Sequence, residues 1–510
     1  MSGCIQFLLD DETHVVDLSG RHGAMGPDTT VLQYLREQLL RRGTKEGCAE
    51  GDCGACTVVV VEPVAASPGD GKCAGRLRYR PVNACIQLLA GLDGRELLTV
   101  ESLARRRGPL HPVQQAMVEH HASQCGFCTP GIVMSLFSLY KAQTGTPVRR
   151  DIDDCLAGNL CRCTGYRPIL EAGLAMHALG DALPAAAQTR LARAGGTEQD
   201  GVVADRLTAL DASSQSSIAG DGTWLGLPRT LAEALQMRAA RPDATVVAGG
   251  TDVGLQITKS LTDLAAVLSV ARVSELKRLE PTSDVWHVGA AVPIADLQLA
   301  IAGEWPALDE LLRRFASPPI RHAATLGGNI ANGSPIGDSM PALLALDATV
   351  ELASVSGTRT VALADFYTGY RQSVLRPDEL IVSVLIPRAT HGERLAIYKL
   401  TKRPDQDISA VCGAFWVRLE QAKIVSARVA YGGMAATPAR VPTCERALEG
   451  VSVFDAVPGP ARDTIATSFT PLSDQRASAR YRALTAANLL DRLFMELRGE
   501  PRVDLYRHAR

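Results

Sequence analysis

Gln124-Cys125-Gly126-Phe127-Cys128-Thr129-Pro130-Gly131 is answered further along the chain by Gly158-Asn159-Leu160-Cys161-Arg162-Cys163-Thr164-Gly165-Tyr166-Arg167-Pro168. Two close thiol pairs, each beside glycine, can grip a pair of iron atoms bridged by sulfide. The spacing of Cys125 and Cys128 lets both sulfurs curl onto one metal at a helix start. Cys161 and Cys163 project to one side if the backbone between them is extended, because side chains there alternate with period two. The adjacent glycines leave backbone N–H groups free to approach the sulfurs, and such hydrogen bonds help set a cluster's potential.

Upstream, Cys48-Ala49-Glu50-Gly51-Asp52-Cys53-Gly54-Ala55-Cys56 has the C-x₄-C-x₂-C order of plant-type ferredoxin clusters. Glycine and alanine fill its gaps, as a loop wrapped round a cluster requires. Cys73 and Cys85 compete as fourth ligand. Cys73 lies in a loop by composition, Ser67 to Lys72, whereas Cys85 opens an apolar segment that can hold it rigidly, so Cys85 is selected. Structural zinc also uses close cysteine pairs, but this spacing with a distant fourth cysteine favours iron and sulfide. Around the loop, Ile5 to Leu9 and Thr57 to Val61 read as strands. Thr29 to Arg41 reads as a helix with Asp28 as N-cap and Val31, Leu32, Leu35 and Leu39 on one face.

The 510 residues are too many for one core and predict two to four domains. A net charge of −2 argues against a nucleic-acid or membrane-surface protein. No apolar run is long enough to span a bilayer, and Met1 to Asp11 lacks the features of a signal peptide. The reading is a cytoplasmic protein, in which the 13 cysteines are metal ligands or buried thiols rather than disulfides.

From Thr99 to Gly180 the pattern is helical, with helices predicted over His111–His121, Gly131–Thr144, Asp151–Ala157 and Tyr166–Leu179. Cys155 falls inside one of them and reads as a buried thiol, as do Cys4, Cys412 and Cys444. His111, His120 and His121 read as surface or capping residues. Asp181 to Ser217 shows no sustained period and reads as a linker. From Thr223 the chain becomes mixed α/β, with Thr230 to Arg241 helical. Two glycine-rich stretches stand out, Thr245-Val246-Val247-Ala248-Gly249-Gly250-Thr251-Asp252-Val253-Gly254 and Ala324-Thr325-Leu326-Gly327-Gly328-Asn329-Ile330-Ala331-Asn332-Gly333-Ser334-Pro335-Ile336-Gly337-Asp338. Their exposed backbone N–H groups suit a pyrophosphate, yet neither is a P-loop or a Rossmann fingerprint. Each alone is a weak signal; together they suggest a dinucleotide site of a non-Rossmann type. After Leu395, strands at Val411–Leu419 and Ile424–Tyr431 alternate with helices at Cys444–Leu448 and Ala477–Leu497. The cluster of Asp405, Gln406 and Asp407 near Lys399, Lys402 and Arg403 reads as a solvated turn.

In this order, these motifs resemble the molybdenum hydroxylase family, and within it the small subunits of bacterial xanthine dehydrogenases. The resemblance covers most of the chain; the cysteine motifs are very specific and the glycine turns moderately so. It implies a multidomain α+β fold. Residues 1–94 would form a β-grasp plant-type ferredoxin domain and 95–180 a four-helix-type iron–sulfur domain with two cysteine pairs. After a linker at 181–217, residues 218–392 would form a two-part α/β FAD-binding domain of the vanillyl-alcohol-oxidase-like (PCMH) type, and 393–510 an α/β C-terminal domain like that of CO dehydrogenase flavoproteins. One [2Fe–2S] cluster would lie on Cys48, Cys53, Cys56 and Cys85, the other on Cys125, Cys128, Cys161 and Cys163. FAD contacts are implied at Val246, Val247, Ala248, Gly249, Gly250, Thr251, Asp252 and Val253, at Phe315, at Thr325, Leu326, Gly327, Gly328 and Asn329, and at Asp338, Ile381 and Lys399. Gln124 matches a position near a partner's molybdenum cofactor.

The family's molybdenum domain has no counterpart before Arg510, so a separate large subunit is expected to carry it, in a heterotetramer of two small and two large subunits. Hypoxanthine and xanthine would be oxidised to urate there, with electrons passing through the two clusters to FAD and on to NAD⁺. The helical-domain cluster would stand nearer molybdenum and the ferredoxin-like one nearer flavin. No general acid or base is demanded of this chain, and Lys399 is the candidate for a positive charge at the flavin. Two other readings stay open: the same subunit in an aldehyde or N-heterocycle hydroxylase, and a non-catalytic iron–sulfur carrier.

Overall fold

The computed structural model describes residues 3–20, 25–64, 77–103, 110–143, 145–183, 200–220 and 222–501. Five strands, β1 (Cys4–Leu9), β2 (Glu12–Asp17), β3 (Thr57–Pro63), β4 (Leu77–Asn83) and β5 (Glu96–Leu98), form a mixed sheet in the order β2-β1-β5-β3-β4. Only β1 and β5 run parallel. The valine run of β3 is buried along its whole length, and its parity explains why. Val58 and Val60 enter one apolar core with Phe7, Leu35 and Leu89. Val59 and Val61 enter another, with Val113, Met134, Phe137 and Met176 of the helical domain. Alternate side chains of a strand leave opposite faces, so a strand covered on both sides reads as an uninterrupted apolar run.

The helical domain consists of Pro112–Glu119, Thr129–Ala142, Arg149–Leu156 and Arg167–Asp181, each within two residues of its predicted span at both ends. The helix predicted over Thr29–Arg41 is different. It is a short α-turn, Val31–Gln33, running into a π-helix, Tyr34–Gln38. Thr30, not Asp28, caps it: Gln33 N–H donates to the Thr30 hydroxyl at 3.2 Å, and the Thr30 N–H donates to the Gln33 side chain at 2.9 Å. The Asp28 carboxylate instead accepts the Leu264 N–H at 3.3 Å. The stretch read as a linker also departs from expectation. Residues 184–199 lie outside the described residues, but Asp200–Ser213 is a helix whose Val203 and Leu207 pack on Leu8. Two buried side chains one turn apart anchor it in an otherwise Ala-, Asp- and Ser-rich sequence.

Contacts divide the chain into two compact units. The first comprises Met1–Arg229, Asp243–Arg272 and Ser317–Ala323; the second comprises Thr230–Pro242, Val273–Ala316 and Ala324–Arg510. The stretch 218–392 therefore contributes to both. In the first unit, Ser217–Gly220, Thr223–Gly226, Ala266–Ser269 and Thr245–Val247 form a four-stranded sheet. Its Ile218, Leu225, Val247 and Val267 share one core with β1, β3 and β4. In the second unit a five-stranded sheet (Leu279–Pro281, Val285–Gly289, Leu380–Pro387, Thr349–Ser354, Gly357–Ala362) accompanies a four-stranded one built on Glu393–Leu400, Val411–Glu420 and Lys423–Gly432. The long helix Ala479–Leu497 packs Leu489, Leu490, Leu493 and Phe494 into the core of this last sheet.

Candidate functional site

The cysteines of the first loop lie where β3 begins and β4 ends. Cys56 and Cys85 are buried, with their sulfurs 3.3 Å apart. Cys48 and Cys53 are half-buried and also meet through their sulfurs. Cys48 Sγ accepts the N–H groups of Glu50 and Cys53, each at 3.4 Å. Its contact with the Cys53 thiol, followed by these N–H donors, brings its pKa down to about 5. Cys85 is pushed far up, first by the adjacent Cys56 sulfur and then by burial. Gly51 and Gly54 have φ of +83° and +67°, which only glycine adopts freely. A Cβ on Gly47 would stand 2.8 Å from Cys53 Sγ. Cys73 lies outside the described residues.

In the helical domain, Cys125 and Cys163 are exposed and their sulfurs lie 3.5 Å apart, while Cys128 and Cys161 form the second close pair. Expectation had Cys125 and Cys128 turning together onto one metal; the structure pairs the sulfurs across the two segments instead. The reason is that Cys128 caps the helix Thr129–Ala142 while Gly126, at φ +79°, turns Cys125 outward. Burial first, then the Cys161 sulfur, raises Cys128 to about 12. Cys161 is raised by burial, but the hydroxyl and N–H of Thr164 outweigh this and bring it below its ordinary value. Among the described residues no group of three or more His, Cys, Asp or Glu side chains is placed to hold a single metal ion. Sulfurs that meet two by two fit a two-iron cluster, one pair to each iron, better than four ligands round one zinc.

The two quartets are tied together by a residue whose role the sequence did not show. Asn159 is buried; its amide donates to Gly54 O at 3.1 Å and Thr57 Oγ1 at 3.3 Å, and its carbonyl accepts from Ser135 at 2.7 Å. The next residue, Leu160, donates its N–H to Cys53 O at 3.0 Å. One hydrogen bond thus joins the backbone of Cys53 to that of Leu160, the neighbour of Cys161. Asn159 sits inside the cysteine motif, but all the partners of its side chain are distant in sequence. Gln124 is exposed beside Cys125. Cys155, in its helix, donates to Ser135 O at 3.2 Å, and burial raises it to about 12.

His111 is buried, not on the surface: it caps Pro112–Glu119 by accepting the Val113 N–H at 3.3 Å, between the edges of Phe137 and Tyr140. His120 is the half-buried C-cap of the same helix and His121 is exposed. Burial, assisted by Lys141, depresses His111 to about 3. As pH falls below about 6.5, the unfolded chain takes up a proton at His111 that the native chain refuses until about 3. This contribution to stability is therefore intact above pH ~6.5 and lost across that window, on the order of 4 kcal/mol in all. His111→Asn, which keeps a capping oxygen, is expected to flatten the acid limb of stability between pH 6 and about 4 in denaturant titrations. An unchanged slope would refute the assignment.

Of the residues expected at flavin, Val246 and Val247 end the strand Thr245–Val247 in the first unit. Gly250 turns the chain at φ +74°, and Asp252 caps the helix Val253–Thr258. The others lie in the second unit. Thr325 caps Leu326–Asn332 by accepting the Gly328 N–H at 3.1 Å. Gly327 has no room for a side chain, since a Cβ would meet Ala290 Cβ at 2.5 Å. Asn329 accepts the Ser339 hydroxyl, and Ile381 is buried in Leu380–Pro387. Phe315 is half-buried and follows Arg314.

Lys399 is buried, and its ammonium donates to Asp338 Oδ2 at 2.6 Å and Arg314 O at 2.8 Å. It stands as half of an ion pair with Asp338. Ser409 donates to the other Asp338 oxygen. Arg314, itself buried, donates to Lys399 O, Pro404 O and the Thr401 hydroxyl, fixing the start of the turn that holds Asp405, Gln406 and Asp407. Asp407 there accepts the N–H groups of Lys402 and Arg403, as a solvated turn does.

Four domain families match in order: a 2Fe-2S iron-sulfur cluster binding domain at 19–87, a [2Fe-2S] binding domain at 99–174, the FAD binding domain in molybdopterin dehydrogenase at 222–389, and the CO dehydrogenase flavoprotein C-terminal domain at 396–497. Xanthine dehydrogenase of Drosophila subobscura is 36% identical over 461 residues, which is 82% of this chain. Xanthine dehydrogenase 1 of Arabidopsis thaliana is 34% identical over 464. The chain is homologous to the iron–sulfur and flavin part of xanthine dehydrogenase. It spans about a third of the length of these relatives, 34% and 33%. A chain of the Cu,Mo-CO dehydrogenase aligns over 52% of this chain and 93% of its own length, with TM-score 0.50 and 26% identity. Quinoline 2-oxidoreductase of Pseudomonas putida aligns similarly, over 53% and 95%, with TM-score 0.50 and 25% identity. The chain thus carries two [2Fe–2S] domains and an FAD domain in a mixed α+β, multidomain arrangement. No helix among the described residues is long and apolar enough to cross a membrane.

Proposed function

We propose that this chain conducts electrons within a xanthine dehydrogenase, from the molybdenum centre of a large subunit that oxidises hypoxanthine and xanthine, through two [2Fe–2S] clusters, to FAD and NAD⁺. The observation that carries the reading is the meeting of eight cysteine sulfurs in four pairs, with Cys53 and Leu160 bonded between the quartets. When bound, the clusters supply one-electron relays and the flavin exchanges one- for two-electron chemistry.

The chain's own residues do the holding and insulating. Cys48, Cys53, Cys56 and Cys85 would hold one cluster, and the burial of Cys56 and Cys85 would shield it from water. Cys125, Cys128, Cys161 and Cys163 would hold the other. The exposed sulfurs of Cys125 and Cys163, beside Gln124, mark the side offered to the molybdenum subunit. By the resemblance, the turns at Val246–Val253 and Thr325–Asn329 would each contribute backbone N–H groups of the kind that suit a pyrophosphate. The Lys399–Asp338 pair is electrically balanced, so it orders the flavin site rather than charging it. The assembly we infer is two small and two large subunits in the cytoplasm, where the thiols stay reduced.

Iron, acid-labile sulfide and flavin counts on anaerobically purified protein, with low-temperature EPR after reduction, test this. Two distinct [2Fe–2S] signals and one FAD per chain are expected; one signal, or zinc in place of iron, would overturn it. The likeness to quinoline 2-oxidoreductase and CO dehydrogenase favours one second reading, the same conduit serving an N-heterocycle or aldehyde hydroxylase. Turnover of xanthine against quinoline and aldehydes by the chain assembled with its large subunit separates the two.

A further inference from the structure

The short helix Val253–Thr258, which follows the first glycine turn directly, touches the ferredoxin-like cysteine site at both its ends. At its start, a Cβ on Gly254 would lie 2.6 Å from Ile86 O and 2.7 Å from Ile86 Cβ. Only glycine lets the helix sit against the residue that follows Cys85. At its other end, Lys259 donates to Cys48 O at 2.6 Å and pairs with Glu50 at 3.2 Å. The backbone N–H of that same Glu50 donates to Cys48 Sγ. Between these ends Val253, Leu255 and Ile257 pack on the core that also holds Cys56 and Cys85. The helix is thereby fastened to the turns of Cys48 and Cys85, which belong to different sulfur pairs.

We propose that Lys259 is a positioning residue that tunes the ferredoxin-type cluster, held in place by the Gly254–Ile86 contact; this rests on the electron-transfer reading above. The reduced cluster carries one more negative charge than the oxidised one. Lys259 neutralises Glu50 on the Cys48 turn, so its loss leaves that turn one charge more negative and disfavours the reduced form, which an N–H···S bond kept in place by anchoring Glu50 also supports. Net charge and hydrogen bonds to sulfur are among the factors that set cluster potentials. Removing Lys259 therefore drives the potential of this cluster down and leaves the helical-domain cluster alone.

An EPR-monitored redox titration of the full chain with its clusters and FAD tests the proposal. In Lys259→Gln the midpoint of the ferredoxin-type signal is expected to shift to more negative potential, with FAD content and the other signal's midpoint unchanged; Lys259→Arg returns it toward wild type. Gly254→Ala, which displaces the helix, is expected to move the same midpoint in the same direction. The double variant then shifts less than the sum of the two, because both changes break one linkage. A wild-type midpoint in Lys259→Gln, with both signals and FAD intact, overturns the proposal while leaving the electron-transfer reading standing. Absence of the ferredoxin-type signal from the wild-type chain would overturn both.

Discussion

Cys85→Ala is expected to abolish the ferredoxin-type EPR signal and to halve the iron and acid-labile sulfide of the purified chain, with FAD and the second signal retained. Cys85 is 2% exposed and lies 3.3 Å from its partner sulfur. No other described cysteine stands beside Cys56 to replace it. An alanine there leaves three thiolates for two irons, one short of the four that a [2Fe–2S] cluster takes. Metal-site binding is also folding free energy, so thermal unfolding of the first unit should begin at lower temperature in the same variant. Cys73→Ala is the matched control and should leave iron, sulfide and both signals at wild-type values. A full iron count in Cys85→Ala, or a halved one in Cys73→Ala, would exchange the two assignments.

Asp338→Ala should destabilise the second unit by about 3–5 kcal/mol, the usual penalty for removing one partner of a buried ion pair. The side chains of Asp338 and Lys399 are 8% and 3% exposed, so the orphaned ammonium has little access to water. Ser409 loses its acceptor in the same step. Pairing Asp338→Leu with Lys399→Met should recover much of the loss, since an apolar pair of similar volume carries no unpaired charge. Urea titrations of the single and double variants give the comparison, with flavin content recorded alongside. A single-variant loss below about 1 kcal/mol would place the pair among solvent-screened ones and remove its structural role.

The eight cysteines stood out in the sequence because thiols at short fixed spacings beside glycine have few other uses in a reduced chain. Their partnership did not. Which sulfur meets which depends on how the turn at 124–131 crosses the turn at 158–168, and both pairs in that domain form across the crossing. The four helices around them were readable from apolar periodicity, with small errors at their ends. The π-helix Tyr34–Gln38 was not, since its apolar spacing is that of an ordinary helix. Lys399 shows the same limit for charge. Its closeness in sequence to the polar cluster at Asp405, Gln406 and Asp407 was visible, but its neutralisation by Asp338, sixty-one residues earlier, is a non-local fact. Asn159 and Lys259 act through partners at still greater separation, Gly54 and Cys48.

Strand β3, whose valines alternate between two interiors, has a consequence for descent as well as for stability. The ferredoxin-like and helical domains look separable along the chain, and family boundaries fall neatly between them. Yet Val59 and Val61 belong to the neighbour's interior as fully as its own helices do. Recombination that transplanted the ferredoxin-like module alone would strip one side of this wall and leave its alternate valines facing water, so the two modules are expected to move only as a pair.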